Sequence, residues 1–179
     1  MSFAILDNTD SFQDACEEAA KAGIIMLCST HDEGSNINKS WPAAFNDTIT
    51  ITACDEFGVL LRTTKQHYDY SIRGLEVAAG VVPFLKSDDR ISGSTVSTAI
   101  AAGLSSLTLS CDRLAHPEKT YDDRDDRSKV IKHHLEEMKA AKNYILLEKF
   151  ASIDQKIKDG RDVNAQQILE DVFEPAQYK

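Results

Sequence analysis

The chain has 179 residues, 42% of them apolar, which suffices for one substantial core with an appendage and excludes a disordered segment. Its 20 basic and 29 acidic residues leave a formal charge of −9, arguing against a nucleic-acid phosphate backbone as the main partner. No leader and no apolar stretch of about 18 residues occurs in the chain as written, so no membrane partner is expected and the expected location is intracellular.

Residues 1–6 form a short apolar run that stops at Asp7-Asn8-Thr9-Asp10. Residues 11–22 follow with Phe12, Ala15, Ala19 and Ala22 at helical spacing, and Gly23 ends that pattern. Residues 24–28 are continuously apolar, as in a buried parallel strand, so strand, helix and strand predict a right-handed parallel crossover. After a polar loop over 29–40 and a turn at Trp41-Pro42, residues 48–53 are β-branched and alternate with period two, predicting another strand. Residues 75–80 are a weaker strand candidate. Residues 92–109 are small or apolar and carry no charge, which suits a buried helix packed tightly on a sheet.

Charge density rises beyond Cys111: residues 1–111 hold 14 acidic and 7 basic residues, the shorter stretch 112–179 holds 15 and 13. The predicted organisation is therefore an α/β domain over 1–111, a charged linker over 112–127 with His116-Pro117, and an amphipathic helical extension over 128–179. In the extension, Ile131, Leu135, Met138, Ala141, Leu146, Phe150, Ile153 and Ile157 recur at spacings of mostly three and four, predicting one long or two consecutive helices. Gly160 should end them, and Asn164 with Gln167 resembles a capping box that opens a final helix through Phe173. The apolar stripe either packs back on the domain or serves a protein partner or self-association through residues 128–157.

Cys16, Cys28, Cys54 and Cys111 stand far apart without a Cys-x-x-Cys or Cys/His pairing and read as reduced, mostly buried thiols. His31-Asp32-Glu33 is set aside as a metal site, because adjacent residues on one loop seldom converge on an ion. No nucleotide-binding glycine motif occurs. No metal and no cofactor are expected.

Four segments in order carry a resemblance. Met1-Ser2-Phe3-Ala4 is similar to a Met-Ser-Leu-Gly strand, and Ser29-Thr30-His31-Asp32-Glu33-Gly34 stands where Ala-Ala-Gly-Asn-Glu-Gly would. Trp41-Pro42 and the strand over 48–53 are similar to a Tyr-Pro turn with its Ile/Val-rich strand. Gly93-Ser94-Thr95-Val96-Ser97-Thr98-Ala99 resembles Gly-Thr-Ser-Met-Ala-Thr-Pro opening a buried helix. Together these resemble the C-terminal part of the catalytic domain of subtilisin-like serine peptidases, and among them the degenerate domains of large fungal multidomain proteins.

The resemblance implies a doubly wound parallel α/β sheet lacking the N-terminal strands. It places Thr95 at the nucleophile position, with Ser94 as the alternative, and Asp32 at the oxyanion-donor position. Threonine's extra methyl restricts χ1, and an ionised carboxylate cannot donate to an oxyanion. Ser2, Phe3, Ala4, Ser29, Thr30 and His31 fall at the substrate-binding positions. The family's catalytic Asp and His lie upstream of the strand that begins here at residue 1, so both are expected to be missing. His31, His67, His116, His133 and His134 read as surface or loop residues. The resemblance thus implies a serine endopeptidase by ancestry, acting on peptide or protein if active, but truncated and impaired or inactive. The alternative is a non-catalytic module that uses a retained groove or the unpaired edge over 1–6 for protein interaction.

Overall fold

A computed structural model describes residues 1–32, 37–61, 66–78, 90–120, 124–158 and 164–173. Helix α1 (Asp10–Lys21) opens on Thr9, whose Oγ1 accepts from Phe12 N, and carries Asp10 in its first turn and Lys21 in its last, both favourable to the helix dipole. Gly23, at φ +81°, turns the chain into β1 (Met26–Ser29). Strands β2 (Thr48–Cys54) and β3 (Tyr70–Arg73) complete a parallel sheet in the order β1-β2-β3.

Every residue of β2 is buried, because both faces of the sheet are covered. The register sets Leu27 beside Ile49, Ile51 beside Tyr70, and Ala53 beside Ile72. These side chains point to one face, where they meet Ala101 and Leu104 of α2 (Ser94–Ala115) and Ile131 and Leu135 of α3 (Arg124–Glu137). The opposite face carries Met26 and Cys28, which pack with Cys16 and Ala20 of α1 and with Ala43. Its threonines are buried too, and they are satisfied by the 42–45 turn: Thr50 Oγ1 donates to Ala43 O at 3.1 Å and Thr48 Oγ1 to Phe45 O at 2.8 Å. The alternation over 48–53 therefore separates a helix face from a turn face, both dry. This is the expected α/β class: a parallel sheet with helices on both sides.

Several boundaries differ from expectation. Residues 1–6 do not form a strand. Met1 makes the two hydrogen bonds of one parallel-ladder step, its N donating to Leu27 O and its O accepting from Ser29 N, and then the chain leaves β1. Ile5 pairs instead with Trp41, and Phe3 settles near Phe12 of α1, ring centroids 6.3 Å apart. The 75–80 candidate reduces to β4 (Val77–Ala78), paired antiparallel with β5 (Arg90–Ile91), and its residues 79–80 lie outside the described residues. Strand β3 has no counterpart among the predicted elements, since four residues after a polar loop carry too little pattern.

The compositional change at Cys111 falls inside a continuous helix, for α2 runs on to Ala115, and residues 124–127 of the expected linker belong to α3. The amphipathic stretch breaks into α3 and α4 (Glu148–Lys158). Between them Lys142 and Asn143 adopt positive φ, and Ile145 N reaches Ser71 O at 3.0 Å on the outer edge of β3. The break results from that docking, which a straight helix cannot make. Helix α5 (Ala165–Val172) begins where expected, with Asn164 Oδ1 accepting from Gln166 N. Ile131, Leu135 and Met138 of the stripe belong to the main core with Ile145, and Phe150 packs against it, whereas Ala141 is exposed and the side chain of Ile157 lies outside the described residues. Among the described residues no helix is long and apolar enough to cross a membrane.

Candidate functional site

The carboxyl ends of the strands in an open α/β sheet are where ligands gather, and α2 begins there. Gly93 N donates to Gly74 O at 2.9 Å just past β3, and Ser97 Oγ donates to Ile72 O within it at 2.8 Å. The approach is so close that a Cβ on Gly74 would stand 2.1 Å from Ser97 Oγ and 2.8 Å from Gly93 O. Small side chains at Ser94, Ser97, Thr98 and Ala101 permit it, each buried against the sheet.

Gly93 is the N-cap of α2 and has no side chain to take up the first orphan amide. Asp32, three residues beyond β1, supplies it across the chain: Oδ2 accepts from Ser94 N at 2.7 Å, and Oδ1 accepts from Ser94 Oγ at 2.5 Å. A carboxylate at a helix N-terminus also gains from the dipole. Gly93 itself sits at φ +139°, and a Cβ there would lie 3.0 Å from Asp32 Oδ2. Glycine and aspartate are thus fitted to each other.

Ser94 Oγ has one proton and two lone pairs; the proton and one lone pair are engaged, and the other faces Thr30, whose single proton is shared between two acceptors. The proton goes to Asp32; Ala53 N donates to the oxygen at 3.0 Å; Thr30 Oγ1 lies 3.0 Å away and 3.0 Å from Thr52 Oγ1 as well. The residue is 1% exposed. Thr95, by contrast, is exposed on the first turn of α2, next to this network.

Of the sequence-predicted site residues, Asp32, Ser94 and Thr30 meet directly, and Thr95 adjoins them. Ser29 is fully buried in β1, its backbone amide taken by Met1 O. His31 is half-buried and donates its backbone N–H to Oε1 of buried Gln66 at 3.2 Å, an oxygen that also accepts from Ser40 Oγ. Ser2 and Phe3 are exposed and Ala4 half-buried, on a segment that is not a strand.

Two histidines expected at the surface are buried. His134 is fully enclosed, its Nε2 3.0 Å from Asp112 Oδ1 and its Nδ1 3.1 Å from Glu137 Oε2. His116 is 8% exposed, with Nε2 2.7 Å from Phe173 O. The sequence holds a signal for His134: Asp112 and His134 fall on the apolar faces of two helices, where unpaired polar groups are not tolerated. His67, with 88% of its side chain exposed, agrees with expectation.

The cysteines are free thiols, three of them buried. Burial pushes Cys28 and Cys54 up to about 11, which keeps them protonated and poor nucleophiles at neutral pH.

No protein-family model matches the chain, and no curated protein matches it. Among solved structures it is similar to the prenylagaramide maturation protease PagA, with a TM-score of 0.59 and 16% identity over 78% of this chain. The match covers 50% of that protein, so the chain spans about half its length. At this identity the likeness shows a protease-like α/β fold and no more. The expected membership of the subtilisin-like serine peptidases is corrected accordingly, since neither a family model nor a curated relative carries it. The Gly93-Ser94 segment has a local explanation. A strand end meeting a helix start needs a glycine at positive φ and a small hydroxyl residue, whatever the family.

Proposed function

We propose that this chain is a non-hydrolysing, protein-binding domain with a protease-like fold. The observation that carries the reading is the enclosure of Ser94 Oγ, 1% exposed and held among Asp32, Ala53 N and Thr30. A hydroxyl must present a free lone pair to a carbonyl carbon, and this one is 1% exposed with Ala53 N already donating to it, so a substrate carbonyl has no approach even though Asp32 stands ready to take the proton. The amide that would serve a developing oxyanion is likewise occupied, because Ser94 N donates to Asp32. Thr95 is exposed but next to a carboxylate, whose charge opposes an oxyanion forming there.

The binding half of the reading rests on the β1 side of the sheet. Met1 covers only one step of the β1 edge, and beside it lies an apolar cavity of about 430 Å³ walled by Phe12, Ala19, Ile24, Ile25 and Met26. Phe3, Leu6 and Ile24 are 45%, 49% and 54% exposed. An extended apolar segment of another polypeptide could add to the edge and bury these side chains.

The test pairs a fluorophosphonate probe with fluorescein-labelled casein. The expected result is no covalent labelling and no hydrolysis, with casein bound by the intact chain and binding weakened by Ile24→Asp. Labelling at Thr95 or Ser94, or casein cleavage by the purified chain, would overturn the proposal.

A further inference from the structure

We infer that His133, His134 and Glu137 of α3 form a binding site for one divalent transition-metal ion, zinc by the chemistry of its donors, oriented from behind by Asp112. Consecutive residues on a helix project about 100° apart, so two adjacent histidines do not normally converge. Here they do, on one carboxylate. His133 Nε2 lies 3.3 Å from Glu137 Oε1, and His134 Nδ1 lies 3.1 Å from Glu137 Oε2. The three ligand atoms all fall within 4.8 Å of one another.

The convergence is imposed by the neighbours of α3. Asp112 on α2 holds His134 Nε2 at 3.0 Å, and Phe173 presses its ring edge against the imidazole, centroids 5.1 Å apart. Side-chain exposure of His134 and Asp112 is 0% and 1%. The inner histidine is thereby turned so that only Nδ1 faces Glu137. With Asp112 accepting at Nε2, a metal that displaces the hydrogen bond between Nδ1 and Glu137 Oε2 would take Nδ1 as its ligand, the usual arrangement behind a metal-bound histidine.

His133 Nε2 supplies the second observation. It is buried and makes no hydrogen bond, for although Glu137 Oε1 is near, the geometry is not that of a donor and acceptor. That nitrogen faces Glu137 at 3.3 Å.

The dimensions suit a small cation. Metal–ligand distances of roughly 2.0–2.1 Å in a tetrahedron place ligands about 3.4 Å apart. Each imidazole nitrogen already lies near that distance from one oxygen of the Glu137 carboxylate, 3.1 Å to Oε2 and 3.3 Å to Oε1. The remaining adjustment comes by rotation of His133, whose side chain is 32% exposed and able to adjust. Two imidazoles and one carboxylate supply three ligands, and Glu137, 36% exposed, carries the set to the solvent side. This mixed nitrogen and oxygen set selects zinc or a neighbouring transition ion over magnesium or calcium. Two carboxylates facing two imidazoles also favour a dication, as does the carboxyl end of α3.

Zinc titration of the purified full chain, followed by competition with a chromophoric chelator, tests the inference. One equivalent should bind and raise the melting temperature, and cobalt should give the visible bands of a low-symmetry nitrogen and oxygen site. His133→Ala, at a partly exposed position, should weaken binding at least tenfold without altering the far-ultraviolet circular dichroism. Asp112→Asn should weaken it by roughly 10- to 100-fold. His67→Ala should change nothing. Failure to bind one equivalent, or binding that survives His133→Ala intact, would overturn the site. Neither outcome bears on casein binding or probe labelling.

Discussion

Asp32 accepts two hydrogen bonds from Ser94, one from its backbone amide at 2.7 Å and one from its hydroxyl at 2.5 Å, across 62 residues of chain. That pairing closes the N-terminus of α2 onto the end of β1. It makes that corner of the sheet a structural joint between the two elements. Asp32→Ala should cost about 2–3 kcal/mol, because two buried donors lose an ionised acceptor at once. Asp32→Asn should cost about half of that, since its amide oxygen can still accept one of the two. Urea unfolding of both variants, with Ser94→Ala and the double variant, gives the coupling energy. A coupling near zero would mean that Ser94 is held by Ala53 and Thr30 instead.

Gly74 and Gly93 are needed for different reasons. Gly93→Ala meets a strained φ of +139° and a carboxylate oxygen 3.0 Å away, and should lose roughly 1–3 kcal/mol. Gly74→Ala meets Ser97 Oγ, which a second substitution could remove, but also the carbonyl of Gly93, which no substitution can. Gly74→Ala with Ser97→Ala should therefore remain destabilised, by about 2–3 kcal/mol. Full recovery in chemical denaturation would show that α2 can slide away from β3.

The chain is legible from its sequence where its patterns are local. The 48–53 strand, the uncharged helix after Gly93 and the helix between Asp10 and Lys21 announce themselves within a dozen residues each, and all three form. Resemblance places Asp32 and Ser94 in one corner, but not the direct pairing of carboxylate, amide and hydroxyl found there. A degenerate catalytic position and a helix cap differ only in what surrounds the oxygen. Residues 1–6 have the composition of a strand, but the geometry allows a single ladder step with Leu27 and Ser29. His134 reads as one more polar residue of a charged helix, because its partners are 22 residues upstream on Asp112 and 39 downstream on Phe173.

Alkali should weaken the fold before it affects any catalytic chemistry. Burial raises Cys28 and Cys54 from an ordinary thiol value near 9 to about 11. A group whose pKa is raised in the folded state gives stability that is complete below its unfolded value and is lost as pH climbs toward the folded one. The unfolding free energy should hold up to about pH 9 and fall from there to pH 11, by on the order of 2 kcal/mol for Cys28, with the melting temperature following it. Cys28→Val should flatten part of that decline. An unchanged slope in the variant would assign the alkaline loss to other groups.

The C-terminal helices should prove inseparable from the sheet. Phe173 is fully buried; its carbonyl lies 2.7 Å from His116 Nε2, and its ring touches the edge of His134 and lies 5.9 Å from Phe150. Replacing it with alanine opens a cavity beside a buried histidine and a buried carboxylate, so the loss should reach about 3–5 kcal/mol, the usual range for a buried phenylalanine. Removing residues 127–179 goes further, for it takes Ile131, Leu135, Met138 and Ile145 out of the core that covers Leu27, Ile49 and Ile51. A tail that only served a partner would leave a folded monomer with an unchanged melting transition. A tail that is half of the core leaves an aggregating chain without one. Analytical ultracentrifugation and a thermal melt of the truncated chain distinguish these, and the packing of Leu135 and Met138 against the sheet predicts the second.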